Sequence, residues 1–183
     1  MKSDKVKIFM QLAGQEVATD LNDGDPGKRV LGAQLLLSEV LEYIIKGLGV
    51  TPTIAGQRIT DPEAIKYETH AENPDKIEVI DGLADVAYTM YWNALCFGVP
   101  LEEAFELVSD NNLEKFVKLG SGFKEGLLDP SKWDCGKGIK WPTEVQTVDV
   151  VKVGSDLYAV GKDARKKVRK PSSYKSVELE ILI

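Results

Sequence analysis

Apolar and polar positions follow two different rhythms along the 183 residues. Up to about residue 119 the spacing is helical. Residues 3–14 read as a short first helix, with Ser3 or Asp4 as its cap and Gly14 near its end. A turn-rich stretch, "TDLNDGDPGK", follows. Then "RVLGAQLLLSEVLEYIIKGLG" carries apolar residues around more than half its circumference and stops at Gly49. Residues 50–73 hold Thr, Pro and Gly, with "DPEAIKYE" as a helical turn. Asn73 and Pro74 read as the cap and first residue of a long helix reaching Gly98. It is apolar almost all round, which places it in the middle of a bundle. Pro100 opens a fourth helix, "PLEEAFELVSDNN".

After Gly120 the rhythm changes. "GSGFKEGLLDPSKWDCGKGIKWP" is loop-like, "TVDVVKVGSDLYAV" reads as a hairpin around Gly154, and "VELEILI" alternates as a terminal strand does. The expected fold class is therefore mainly α, a four-helix core over residues 1–119. An irregular, β-containing extension is expected over 120–183.

Composition narrows the field. The hydrophobic share is 43%, enough for one well-packed domain, and the net charge of -6 gives little support to a nucleic-acid polymer as partner. Seven of the 23 basic residues fall in "KDARKKVRKPSSYK", which reads either as a solvated basic loop or as an arm that reaches anionic groups. The two cysteines, Cys96 and Cys135, lack metal-ligand spacing and read as reduced thiols. No apolar run reaches the roughly 18 residues of a membrane span. The expectation is a soluble cytoplasmic protein without membrane contact.

The chemistry concentrates in carboxylates. Glu39 and Glu42 stand three apart in the second helix; Glu78 and Asp81 stand three apart in the third, with Asp85 four further on. Residues at these spacings share a helix face. Were the two faces to meet, four or five acids would converge inside the protein, where unpaired like charges are costly. No Lys or Arg is interleaved at those positions. A hard divalent cation with oxygen ligands answers the need: Mg²⁺ first, Mn²⁺ as a substitute. A di-iron bundle would need Glu-x-x-His on two helices, and the single histidine, His70, lies in a connecting loop.

With these residues in view, "SEVLE" and "IEVIDGLADVAY" resemble the E-x-x-E … E-x-x-D signature of the all-α nucleoside triphosphate pyrophosphohydrolases, and most of all their MazG-like, phage-type branch. "FMQLAGQEV" is similar to the opening segment of that branch, and "NNLEK" to its S-N-x-x-K motif, at Asn112 and Lys115. "KKVRKPSSY" resembles its G-K-V-x-K-P closing motif, at Lys167, Lys170 and Tyr174. The likeness covers residues 5–119 and 162–182. It implies a four-helix core assembled as a homodimer or homotetramer. It also implies Mg²⁺-dependent hydrolysis of a (deoxy)nucleoside triphosphate to monophosphate and pyrophosphate, in the host cytoplasm if the chain is phage-encoded.

On that reading Glu39, Glu42, Glu78 and Asp81 hold the metal, with Asp85 a further ligand or an acceptor behind it, and Glu39 takes the proton of the attacking water. Asn112, Lys115, Lys167, Lys170 and Tyr174 meet phosphate or sugar, with Arg165 and Arg169 beside them. For the base, the first helix offers Phe9, Gln11, Leu12 and Gln15, and the expectation leans to a purine such as (d)GTP. The chain departs from the pattern at Ser38, where the family usually has a glutamate, at Lys166, where it has glycine, and in the long connection over residues 49–73. The alternatives are a dUTPase-like or phosphoribosyl-ATP enzyme, or a helical binding or scaffold protein without catalysis.

Overall fold

The structure, a computed structural model, describes residues 3–183. The first helix, α1 (Ser3–Ala13), takes in both Ser3 and Asp4. It closes with a Schellman pair of bonds, Gln15 N–H to the Met10 carbonyl at 2.8 Å and Gly14 N–H to that of Gln11 at 3.1 Å. The second, α2 (Pro26–Glu42), starts three residues before Arg29, inside the stretch expected to be turn. Asp25 is its cap, accepting from Lys28 N–H at 2.9 Å, and Pro26 needs no partner for the N–H it lacks. A π-helical turn, Tyr43–Gly47, ends it.

A two-residue hairpin follows, β1 (Thr53–Ile54) and β2 (Gln57–Arg58), turning at Ala55 and Gly56 with φ of 49° and 79°. Periodicity cannot reveal strands this short. The expected helical turn appears as a 3₁₀ turn, Pro62–Ala64, capped by Asp61. The long helix α3 (Lys76–Phe97) is capped by Asp75, not Asn73: its carboxylate accepts from Ile77 N–H at 2.9 Å and Glu78 N–H at 3.3 Å. Pro74 therefore sits before the cap. The fourth helix, α4 (Leu101–Leu113), follows Pro100 as expected.

The mainly α class is overturned. With 43% helix and 13% strand in two antiparallel sheets, the protein is mixed α/β. The larger sheet contains β3 (Val117–Lys118), β4 (Gly126–Leu127), β5 (Thr147–Val153) and β6 (Asp156–Lys162), in the order β3-β6-β5-β4. The expected hairpin is its centre, pairing Val150 with Ala159 and Val153 with Asp156. The terminal segment "VELEILI" is not a strand. It holds a 3₁₀ turn, Glu180–Leu182, with Ile181 and Ile183 exposed.

Alternation along β5 and β6 explains why this sheet holds the core. Val148, Val150 and Ala159 face one side, with Leu128, Cys135 and Val145; Trp133, Ile139 and Trp141 pack over them. Val160 faces the other, against Leu12 of α1 and Phe116 beyond α4. Segment 120–146, which reads as loop, thus supplies one layer of the core. Trp141 donates its indole N–H to the Trp133 carbonyl at 2.9 Å, and Trp133 donates to that of Leu128 at 3.1 Å.

The chain divides into two compact units, residues 1–19 with 87–183, and residues 20–86. This differs from the break at 119/120 expected from composition, because Phe116 and Val117 at the end of the helical region are core residues of the sheet unit. Nor does α3 sit in the middle of a bundle: Ile77, Leu83, Tyr88 and Leu95 are 70, 62, 72 and 85% exposed. No helix among the described residues is long and apolar enough to cross a membrane.

Candidate functional site

The acidic residues lie in the unit formed by residues 20–86. On α2, Glu39 and Glu42 are exposed, with Ser38 half-buried beside them. The Ser38 hydroxyl donates to the Leu35 carbonyl at 3.2 Å, so it serves the helix backbone. Glu42 is held by Lys46 at 2.6 Å, one turn on, and that carboxylate raises the lysine's pKa. On α3, Glu78, Asp81 and Asp85 are also exposed. The expected convergence in a buried interior does not occur within one chain: among the described residues no group of three or more His, Cys, Asp or Glu side chains stands ready to hold a metal ion. The donor chemistry, all carboxylate oxygen, suits Mg²⁺ or Mn²⁺.

Beside this face lies a cavity of about 630 Å³. Its walls include Val30 and Ala33 of α2, Glu78 and Val79 of α3, and the connecting segment with Tyr67 and His70. Arg29 pins that segment to α2, donating to the carbonyls of Ala71 at 3.1 Å and Glu72 at 3.0 Å. Periodicity gives no sign of such a cavity, which is made by a loop.

The residues expected to meet phosphate belong to the other unit. Four of the five gather around the end of α4. Lys115 donates to the Asn112 side-chain carbonyl at 2.6 Å and stands 5.6 Å from the centre of the Phe9 ring. Tyr174 donates its hydroxyl to Asn111, whose amide donates to the Lys175 carbonyl at 2.6 Å. Lys170 lies over the Tyr174 ring at 4.5 Å. Asn111 is the buried post that ties the tail to the helix, and sequence reasoning passed over it in favour of its neighbour.

The fifth, Lys167, belongs to a turn built on Asp163. That buried carboxylate accepts from Arg165 N–H and Lys167 N–H, both at 2.9 Å, and pairs with Arg169 at 2.7 Å. Burial pushes the Asp163 carboxyl up, but the Lys167 and Arg165 amides and the Arg169 guanidinium together outweigh it and hold it below its ordinary range. The basic stretch is thus a folded turn, bridged to β6 through Val168 and Lys162, with Arg165, Lys166 and Lys167 exposed.

The base-contact expectation needs correction at Leu12. It is 1% exposed and packed against Phe116 and Val160, because its face of α1 covers the sheet. Gln15 is exposed just beyond the helix. A smaller groove of about 150 Å³ lies between α1 and α4, lined by Lys5, Phe9, Ser109 and Asn112 among others. Lys5 bridges to Glu106 at 2.5 Å and Asp110 at 2.6 Å, joining the two helices. Cys96 is exposed and Cys135 buried, and both are free thiols.

Comparison of the chain with family models, with curated proteins and with solved structures finds no match.

Proposed function

We propose that the protein hydrolyses a (deoxy)nucleoside triphosphate to the monophosphate and pyrophosphate with the help of Mg²⁺, or Mn²⁺ in its place. The observation that carries this reading is the pair of acidic steps, Glu39 with Glu42 and Glu78 with Asp81. They stand exposed on two helices of one compact unit, and Glu78 also lines a cavity. These four carboxylates, with Asp85, would hold the cation. A bound divalent cation supplies charge neutralisation for the triphosphate and its departing pyrophosphate.

The chain's own part is acid–base work and positioning. Glu39 accepts a proton from the water whose oxygen bonds to the α-phosphorus. The bond from that phosphorus to the α–β bridging oxygen breaks, and its electrons leave with pyrophosphate. Asn112, Lys115, Lys167, Lys170 and Tyr174 are assigned to the phosphates and sugar. The uncovered apolar residues of α2 and α3, Leu35, Leu83 and Leu95 among them, support assembly as a homodimer or homotetramer in which the acidic site is completed.

A panel of (d)NTPs, purines first, with Mg²⁺ or Mn²⁺ tests this reading. Monophosphate and pyrophosphate are the expected products. Orthophosphate with nucleoside diphosphate would refute the bond assignment, and no turnover of any member would favour a second reading. That reading, a non-catalytic helical binding protein, is favoured by Ser38, whose hydroxyl is spent on the helix backbone where a further acid would stand.

A further inference from the structure

The cavity beside the acidic face has properties that the proposed hydrolysis does not by itself require. Its volume, about 630 Å³, lies within the range of small-molecule sites, roughly 300–1,000 Å³. Val30, Ala33 and Val79 give it apolar walls from two helices, and Tyr67 and His70 give it aromatic ones from the loop. The loop is fastened: Arg29 holds it by two carbonyls, and Asp75 caps the helix that follows. Because Arg29 is engaged there, the walls do not favour an anion. Glu68, Asp75 and Glu78 face only Lys66 as a cation not so committed. A flat, uncharged, partly polar ligand suits these surroundings.

One atom behind the walls lacks a partner. The Tyr67 hydroxyl is shielded from solvent and bonds no protein atom. A buried hydroxyl left without a hydrogen bond is unfavourable, and such groups are rare unless something else meets them. Glu78, meanwhile, lines the cavity and also belongs to the acidic pair of α3. A ligand with an apolar ring system at one end and phosphates at the other can span both.

We infer that this cavity receives the nucleoside part of the substrate, with the base against Val30, Ala33 and Val79, and with the Tyr67 side chain turned so that its hydroxyl, out of the cavity's reach as it stands, bonds a polar atom of the ligand. The assignment deepens the pyrophosphohydrolase reading and rests on it for the class of ligand. It moves base recognition away from the first helix, where Leu12 is buried in the core. The long connection between the acidic helices thereby acquires a role: it builds the wall that reads the base.

Deoxyguanosine, deoxyadenosine, thymidine and deoxycytidine, titrated in EDTA by calorimetry and saturation-transfer NMR, test the cavity without metal or phosphate. At least one should bind, and the best binder should carry the same base as the best triphosphate substrate. Ala33→Phe, which fills the cavity from an exposed helix position, should weaken binding at least ~10-fold. Tyr67→Phe should weaken it by up to about 10-fold without lowering the thermal unfolding midpoint, because it removes a hydroxyl that the free protein leaves unpaired. Nucleoside binding that responds to Ala33→Phe in a chain that hydrolyses no triphosphate would keep the cavity assignment and discard the hydrolase. Absence of binding by all four nucleosides at millimolar concentration would overturn the assignment. So would binding indifferent to both substitutions, even in an active enzyme.

Discussion

Gly161 lies so close beneath Trp141 that a Cβ at this position would stand 2.3 Å from the ring's Cε3. The ring sits on β6 only because the strand offers bare backbone there. Gly161→Ala should therefore force the indole off the sheet and break its bond to Trp133, at about 1–3 kcal/mol as overpacking typically costs. Urea unfolding followed by tryptophan emission measures it. An unchanged midpoint would show that the ring relocates freely.

Acid should expose the role of Asp163. Its folded pKa lies below the unfolded value of about 4. A depressed carboxyl contributes stability that is present above the unfolded pKa and is lost as pH falls through the folded one. Asp163→Asn forgoes that contribution at every pH. The gap between wild type and variant should be widest near neutrality and close progressively below pH ~4. Denaturant melts from pH 7 to pH 2 give the curve; a gap independent of pH would contradict the assignment.

Asn111 and Tyr174 join α4 to the tail through buried polar atoms. Replacing Asn111 by alanine leaves the tyrosine hydroxyl and the Lys175 carbonyl without their partner, and should cost about 1–3 kcal/mol. The tail should also become a protease target. Limited proteolysis that cuts wild type and variant equally would place the anchor elsewhere.

Substitution of Glu39, Glu42 or Glu78 by glutamine, or of Asp81 by asparagine, should lower turnover at least ~100-fold. Because these side chains are exposed and none supports the core, the unfolding midpoint should scarcely move. Adding Mn²⁺ should raise the midpoint of the wild type and EDTA reverse it, by simple linkage. A variant series with full activity would dismiss the carboxylates.

The apolar residues on α3 carry the last prediction. Leu95, at 85% exposure, and Leu83, at 62%, touch little within their own chain. Changing either to glutamate should leave an isolated chain folded but split an assembly. Sedimentation of wild type and variants decides this, and a wild type that is monomeric at every concentration would contradict it.

The four helices and the 147–160 hairpin were legible because each repeats its apolar positions over many residues. β1 to β4 were not, since two residues cannot display a period. Helix caps went both ways. Pro100 was read correctly, whereas Asp25 and Asp75 were missed because several Asp and Asn residues compete nearby and only the backbone geometry chooses among them. The acidic pairs were visible as spacing, and spacing does place them on single helix faces. Whether two such faces meet is a matter of packing, and among the described residues no three of these side chains stand grouped to hold an ion.

The sequence by itself determined where helices run, which residues share their faces, and that carboxylates interrupt two apolar stretches, because these follow from the 3.6-residue repeat acting locally. Only the tertiary structure decided that the core belongs to the sheet rather than to α3, that segment 120–146 folds over that sheet, and that a loop closes a cavity beside Glu78. Those outcomes depend on contacts between residues far apart in the chain, such as Trp141 on Gly161 and Leu12 on Val160, whose free energies no local pattern encodes.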